Sequence, residues 1–180
     1  MKKLFQLSMA LLCVIVFASC SSEDSVAGWA DGSYTVRRVT NMVNLPPIFP
    51  FTPLNDEVRI SIDAVADDYV NVTLPSTVYN FNGQEMEITA FVIENVPVLA
   101  DGEKGVFFPK HNFRQENGKY VEGTISGEID GDGDVELTVE YMYGSMPYSI
   151  KQEFESIDYC CKHSDTSLSI PLHSVWLRAF

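Results

Sequence analysis

The run Asp130-Gly131-Asp132-Gly133-Asp134 is the stretch of this chain whose side chains come nearest to a metal-binding loop. Alternating carboxylates suit a hard cation such as Ca²⁺, but an EF-hand loop needs glycine at its sixth position and a bidentate acid at its twelfth. Val135 and Tyr141 stand at those positions here. Because Asp and Gly also favour tight turns, the run predicts a hairpin turn without a metal.

The residue types that carry catalysis are sparse. The histidines are His111, His163 and His173, and their spacing provides no pair of metal ligands. The sequence has no Gly-x-Ser-x-Gly nucleophile motif and no phosphate-binding glycine loop. We therefore predict no cofactor and no catalytic residue. An enzyme stays an alternative that no motif supports.

The amino terminus has the pattern of an export signal. Lys2 and Lys3 precede an apolar run, Leu4–Phe17, which is shorter than the ~20 residues of a membrane-spanning helix. The run ends in Phe17-Ala18-Ser19-Cys20, which resembles the lipobox of bacterial lipoproteins. That resemblance implies cleavage before Cys20 and acylation of Cys20, and two or more acyl chains anchor a protein firmly. An ordinary secretory signal followed by a chance cysteine is the alternative.

The residues after Cys20 are typical of a localisation signal followed by a flexible tether. Ser21-Ser22-Glu23-Asp24 resembles the acidic signal that sends Bacteroidota lipoproteins to the outer face of the outer membrane, although plain linker composition produces the same pattern. We predict a signal peptide over 1–19, the acylated cysteine with a flexible tether over 20–29, and a lipid-anchored, surface-exposed protein of the outer membrane.

Charge and cysteine content argue against two further classes, nucleic-acid-binding proteins and domains stabilised by disulfides. The formal net charge is −13, and becomes −15 once Lys2 and Lys3 leave with the signal, so nucleic acid is not an expected partner. Cys160 and Cys161 are adjacent. Their Cα atoms lie about 3.8 Å apart, below the ~4.4 Å that a relaxed disulfide needs. Burial of apolar side chains, not a disulfide framework, must therefore stabilise the fold.

Apolar and polar residues alternate repeatedly between turn signals, which predicts antiparallel strands. The predicted strands are A, Ser33–Val43; B, Glu57–Ala66; C, Tyr69–Leu74; D, Met86–Val98; E, around Val106–Phe108; F, Lys119–Ile129; G, Val135–Tyr143; and H, Tyr148–Glu155. Eight consecutive strands predict an all-β, eight-stranded antiparallel up-and-down barrel over 30–156, with a two-sheet sandwich as the alternative. The tail over 157–180 forms either an extra strand or an irregular segment.

Five motifs carry a resemblance to a known family. They are Gly32-Ser33-Tyr34-Thr35-Val36, Val70-Asn71-Val72-Thr73-Leu74, Glu94-Asn95-Val96-Pro97-Val98, Gly123–Gly127 and Val135-Glu136-Leu137-Thr138-Val139. Together they resemble the calycin-like β-barrel lipoproteins of Bacteroidota, which are distant relatives of lipocalins. The resemblance implies an eight-stranded calycin-like barrel and implies little about activity. The Gly-x-Trp of lipocalins is not matched, because Gly28 and Trp29 are adjacent.

Strand order places the loops of a meander at two ends. The short acidic turns at Asp67-Asp68, Leu99–Glu103 and Asp130–Gly133 fall at the end nearer the tether, which we call the near end. The far end receives the long loops Asn44–Asp56, Pro75–Glu85, Lys110–Gly118 and Gly144–Met146. Long loops often form lids or binding sites.

We predict that the far end binds a small apolar or amphipathic molecule. The candidate ligand-binding residues are Phe49, Phe51, Tyr79, Phe81, Arg38, His111 and Phe113. Of the consecutive arginines Arg37 and Arg38, one must point inward if the strand is regular, and we expect it at the rim of the barrel. Two alternatives remain. The loop Leu45–Leu54 is a hydrophobic cap, or the barrel core is filled and the protein is an accessory module that binds a protein or glycan through its loops.

Overall fold

The computed structural model describes residues 25–157 except 50, 82 and 117–119. The predicted signal peptide, Cys20 and the tail with Cys160 and Cys161 lie outside the described residues. The elements are α1 Val26–Ala30, β1 Gly32–Val43, β2 Leu54–Ala66, β3 Tyr69–Leu74, β4 Thr77–Phe81, β5 Gln84–Ile88, β6 Phe91–Pro97, β7 Leu99–Asp101, β8 Gly105–Gln115, β9 Val121–Ile129, β10 Val135–Tyr143 and β11 Ser149–Ser156.

The strands form an antiparallel barrel-like sheet. Nine strands pair in the order β6-β3-β2-β1-β11-β10-β9-β8-β7, and β4 pairs with β5 in a separate hairpin. Pairing of β1 with both β2 and β11 joins the two halves of the chain and curls the sheet. The predicted all-β antiparallel class with neighbouring strands paired is confirmed. The count of eight strands and the calycin type are not confirmed.

The barrel is nearly closed between β6 and β8, where side chains replace a backbone ladder. The Gln115 side-chain amide donates a hydrogen bond to the Val92 carbonyl. Beside it, the rings of Phe91 and Phe113 lie 6.3 Å apart between centroids. At the near end β7, which follows β6 directly along the chain, pairs with the start of β8. The two edges of the sheet therefore meet through β7 and through these contacts.

Two glycines let β9 and β10 approach closely on the inner face of the barrel. A Cβ at Gly123 would lie 2.2 Å from the Glu140 carbonyl oxygen, and one at Gly127 would lie 2.1 Å from that of Glu136. Gly127 also has a φ of 153°, which side-chain-bearing residues rarely adopt. Glycine at these positions allows the strong local curvature that closing a sheet into a barrel requires.

The barrel interior is filled with side chains. Alternate residues of the long strands point inward and are buried: Val36, Ile60, Ile62, Val70, Val72, Leu74, Ile93, Val106, Phe108, Ile125, Leu137, Val139, Tyr141, Ile150 and Phe154. This agrees with the alternation in the sequence, because successive side chains of a strand point to opposite faces. A barrel of this size has an interior that side chains just fill.

The near end is closed by α1. Ser25 caps the helix by accepting a hydrogen bond from the Gly28 amide at 3.0 Å. The Ala27 amide donates to the Asp67 carbonyl at 3.0 Å, which fixes α1 to the β2–β3 turn. Ala27 and Ala30 are fully buried. Over 26–29 this differs from the flexible tether predicted for 20–29, because the small apolar face of a five-residue helix is too short to give a recognisable 3.6-residue period.

Candidate functional site at the far end

The hairpin β4–β5 folds over the far end of the barrel. The sequence predicted an irregular loop through Tyr79 and Phe81, but Thr77–Phe81 pairs with Gln84–Ile88 across a turn at Gly83, whose φ is 77°. One face of the hairpin points into the barrel, and Thr77, Tyr79 and Ile88 on that face are buried. The hairpin is therefore the main cover of the far end.

An aromatic cluster joins the hairpin to two neighbouring loops. Phe49, from the β1–β2 loop, lies 6.0 Å from the ring of Phe81 and 6.4 Å from that of Tyr148. Phe81 and Tyr148 are 6.3 Å apart. Phe51 packs edge-on against Tyr79 at 6.1 Å. The structure thus brings together four of the predicted residues, Phe49, Phe51, Tyr79 and Phe81, and adds Tyr148.

Beneath this aromatic cluster lies a buried polar cluster centred on Arg38. Its guanidinium makes a bidentate pair with Asp56, at 2.9 Å from Nε to Oδ1 and 2.6 Å from Nη2 to Oδ2. It also donates to the Thr77 hydroxyl and, at 3.2 Å, to the Ser76 carbonyl. Gln152 donates to Thr77 at 3.0 Å. These bonds fasten the hairpin to β1, β2 and β11.

The prediction that the inward arginine lies at the rim is wrong. Arg38 is 2% exposed, whereas Arg37 points outward and pairs with Glu155. Arg38 and Asp56 are direct partners in the β1–β2 register, so the inward arginine meets a carboxylate on the adjacent strand. A charge buried to this degree requires such a partner. The Arg38 guanidinium, one of the predicted ligand-binding groups, is thus hydrogen-bonded within the protein.

Burial alters the acidity of tyrosines near the polar cluster, and Tyr141 interacts electrostatically with Arg38. Burial, with a smaller contribution from Tyr143, raises the pKa of Tyr79 to about 12. Burial also raises the pKa of Tyr141 above its ordinary value, while the charge of Arg38 opposes that shift. The Tyr141 hydroxyl is buried and has no hydrogen-bond partner among the described residues. The Tyr143 hydroxyl, by contrast, bonds to Thr89 Oγ1 at 3.0 Å.

His111 and Phe113 do not lie in a far-end loop, which corrects the prediction. Both belong to β8, which runs from Gly105 to Gln115. The predicted strand covered only Val106–Phe108 and stopped just before Pro109, a residue that cannot donate to a ladder. A register shift between Phe108 and His111 absorbs Pro109, and the strand continues. Phe113 is a core residue in contact with Phe91, and His111 is half-buried in the strand.

Two grooves flank the hairpin. One, of about 340 Å³, lies between β5 and the β10–β11 turn, and its lining includes Tyr79, Met86, Ile88, Tyr143 and Met146. The other, of about 640 Å³, lies between β4 and the start of β2, and its lining includes Pro53, Leu54, Val78 and Tyr79. Both exceed the ~300 Å³ of a small-molecule site. They lie beside the hairpin rather than inside the filled barrel.

Sequence reasoning missed the methionines of the first groove. Met86 and Met146 line it, and the Tyr79 hydroxyl approaches the Met146 sulfur at 3.3 Å. Methionine side chains adapt to ligands of irregular shape. A signal was available, because Met146 lies in the same far-end turn as Gly144. Met86 was assigned to a regular strand instead, because the break at Thr89–Ala90 between β5 and β6 carries no proline or glycine.

The run Asp130–Asp134 forms the predicted turn. Asp130 Oδ1 accepts hydrogen bonds from the amides of Asp132 and Asp134 at 3.0 and 2.9 Å. Its geometry is that of an Asx turn. Within residues 25–157, apart from the gaps named above, no group of three His, Cys, Asp or Glu side chains is arranged to hold a metal ion. Over the same residues, no helix has the length and apolar character to cross a membrane.

A known structure shares this fold. The crystal structure of a protein described as a "putative outer membrane protein" from Bacteroides fragilis superposes with a TM-score of 0.57 at 20% identity, covering 73% of this chain and 52% of the other. The present chain thus spans about half the length of that protein. At this identity the likeness shows the fold alone. No protein-family model and no curated protein matches the chain.

Proposed function

We propose that this protein is a lipoprotein of the bacterial outer membrane, anchored through Cys20 and exposed at the cell surface. The pattern Phe17-Ala18-Ser19-Cys20 supports the anchor. The description of the Bacteroides fragilis neighbour as an outer membrane protein agrees with the location. Metabolic labelling with an alkyne fatty acid tests the anchor. The wild-type chain incorporates the label and a Cys20→Ala variant does not.

We propose further that the far end binds a small apolar or amphipathic molecule in the groove between β5 and the β10–β11 turn. The observation that carries this proposal is the groove itself, which is about 340 Å³ in volume and lined by Tyr79, Met86, Ile88, Tyr143 and Met146. A pocket of this kind combines apolar walls with a few polar groups that orient a ligand. The apolar part of the ligand packs on the methionines, and its polar part faces the exposed Glu87 and Ser145 at the edge.

Native mass spectrometry on the chain from Ser21 onward, purified from its own organism, tests this function. Bound ligand appears as extra mass that organic extraction removes, and Met86→Lys abolishes it. Val78→Lys is the matched control, because Val78 lies on the same hairpin but is 46% exposed on its other face. Retention of the ligand by Met86→Lys, or no extra mass on the wild-type protein, would exclude the groove as a carrier site.

A second candidate function is an accessory module that binds a protein or glycan through the far-end loops. The filled barrel favours it, because an interior packed with side chains leaves the outer surface and the loops as the places where a partner can bind. The exposed Ile48, 78% accessible at the tip of the β1–β2 loop, is an apolar contact point. This function would be favoured over the first by two results together. The purified protein shows the mass of the chain without a ligand, and it captures a glycan or a protein in a way that Ile48→Asp abolishes.

A further inference from the structure

An apolar strip lies on the outer face of the sheet at the near end, away from the groove. Tyr69 is 40%, Leu99 55% and Phe107 41% exposed. Strand register makes the strip continuous: Tyr69 faces Pro97 across β3 and β6, and Leu99 faces Phe107 across β7 and β8. Pro97 and Leu99 are two residues apart along the chain. The exposed area is ~300 Å², the size at which the largest patch of a monomer often has a function.

An uncompensated pair of acids continues this strip along the same row of the sheet. Phe107 faces Glu128 on β9, and Glu128 faces Glu136 on β10. Like charges directly opposite each other on neighbouring strands disfavour folding. The next acid in the row, Glu155, is paired with Arg37. Neither Glu128 nor Glu136 makes an ion pair in the part of the chain that the structure describes.

From these observations we propose that the row Tyr69–Pro97–Leu99–Phe107–Glu128–Glu136 is a docking surface for a different protein, one that presents an apolar patch flanked by Lys or Arg. Charge complementarity favours this occupant. Basic side chains from the partner relieve the repulsion between Glu128 and Glu136, while its apolar patch covers Leu99 and Phe107. Exposed aromatic and leucine side chains form the centre of an interface, and charges form its rim.

A second copy of this chain fits the surface poorly. Copies related by a two-fold axis would bring two acidic rows together, and the formal net charge of −13 adds a long-range repulsion. An anionic lipid surface is disfavoured for the same reason, because the near-end turns carry Asp67, Asp68 and Asp101. The apolar strip alone is smaller than the ~800 Å² that each partner buries in a standard interface, so it is the centre of the surface and the acids extend it.

Site-specific photocrosslinking in living cells identifies the partner without assuming its identity. A benzophenone amino acid replaces Phe107 in one full-length chain and Val78 in a control chain, since both positions are exposed on strands at opposite ends of the barrel. We expect one protein to crosslink from position 107 and not from position 78. Crosslinks from 107 only to a second copy or only to lipid would overturn the proposal.

Binding of the purified partner to the full-length protein then tests the chemistry. Leu99→Asp weakens binding of the partner by about tenfold or more. The double variant Glu128→Lys, Glu136→Lys, tested separately, weakens it by a larger factor. Added salt also weakens it, because the rim is electrostatic. Val78→Asp is the matched control and leaves binding unchanged, and Tm measurements confirm that each variant is folded. Binding that tolerates both Leu99→Asp and the double reversal contradicts the proposal. The groove at the far end is untouched by these changes, so the two proposals fail independently.

Discussion

The two ends of this barrel are covered in different ways. The near end is closed by the five-residue helix α1, whose alanines are fully buried and whose backbone is bonded to the β2–β3 turn. The far end is covered by the β4–β5 hairpin and by the β1–β2 and β10–β11 loops, whose aromatic rings contact one another at 6.0–6.4 Å. Small side chains pack α1 closely on the barrel, whereas large rings and methionines leave grooves beside the hairpin.

The near end is thus structural, whereas the far end is the one for which we propose ligand binding. A cover of alanine offers little surface that could rearrange around a ligand. A cover of aromatic and methionine side chains can adjust its rotamers, and segments with few buried backbone contacts open more easily than the core. The far-end hairpin is nevertheless held from below by the hydrogen bonds of Arg38 and Gln152 to Thr77. Movement of the hairpin therefore depends on this polar cluster, and the largest predicted effect lies there.

Asp56→Ala removes the carboxylate that compensates Arg38 and should destabilise the protein by about 2–3 kcal/mol. Removing one partner of a fully buried ion pair costs about 3–5 kcal/mol, and Asp56 is 33% exposed, so the cost is discounted. Glu155→Ala is the matched control. It removes the exposed partner of Arg37 and should cost less than about 0.5 kcal/mol. Urea unfolding measures both, and equal losses would show that the buried Arg38–Asp56 pair stabilises the fold no more than the exposed Arg37–Glu155 pair does.

Phe51→Ser and Phe49→Ser separate a cap from a binding surface. Phe51 is half-buried and packs against the core, so its loss should cost about 2 kcal/mol. Phe49 contacts only the rings of Phe81 and Tyr148 among the aromatic residues described, and its loss should cost less than about 1 kcal/mol. Thermal unfolding gives both values. A loss above about 3 kcal/mol for Phe49→Ser would mean that the β1–β2 loop is a structural cap.

Ser25→Ala tests the near end and should cost about 1 kcal/mol, because the Gly28 amide loses its capping oxygen. Ser25→Asp is the control, since aspartate caps a helix equally well and should restore most of the stability. Hydrogen exchange at the Ala27 amide reports opening of α1 directly. An unchanged exchange rate in Ser25→Ala would show that packing of Ala27 and Ala30 alone holds the helix in place.

Much of the barrel could be predicted because the segments in which apolar and polar residues alternate are flanked by residues that favour turns. β3 and β10 have the predicted bounds. Buried apolar residues occupy every second position of each strand, and turn residues bound both, Asp67-Asp68 and Pro75 for β3 and Asp134 and Gly144 for β10. β8 was predicted too short because Pro109 normally ends a strand, and a register shift that accommodates proline has no local signal.

The site was less predictable than the fold because it depends on long-range partners. The clustering of Phe49 with Tyr148 joins residues far apart in sequence through the curl of the sheet. Arg38 points inward because it is two residues from the inward Val36 on the same strand. Its burial, however, depends on Asp56 and on the hairpin residue Thr77. Local patterns in the chain cannot show that a carboxylate from β2 stands opposite an arginine of β1 until the register is known.

Tyr141→Phe should leave stability unchanged or raise it by up to about 1 kcal/mol. The Tyr141 hydroxyl has no partner among the described residues, and removing an unsatisfied buried polar group eliminates a desolvation cost. Tyr143→Phe is the matched control on the same strand. It loses the bond to Thr89 and should cost about 1 kcal/mol. Destabilisation by Tyr141→Phe equal to that of Tyr143→Phe would indicate that the Tyr141 hydroxyl is hydrogen-bonded in solution.

Alkaline pH should lower the stability of the folded protein through tyrosines at both ends. This is the smallest of the predicted effects, and it is absent at neutral pH. Burial raises the pKa of Tyr79 at the far end to about 12, and burial together with Asp31 raises that of Tyr34 at the near end. The unfolded chain ionises these tyrosines near pH 10, so it binds fewer protons than the folded chain above that pH. Stability is therefore full below about pH 10 and declines as the pH rises through about 12.

Urea midpoints at pH 9 and pH 11 measure the decline. Of these two tyrosines, only Tyr79 has a large pKa shift, so Tyr79→Phe should reduce the decline more than Tyr34→Phe does. The reverse order would mean that the far-end cover is hydrated, and that the hairpin opens more readily than the helix at the other end.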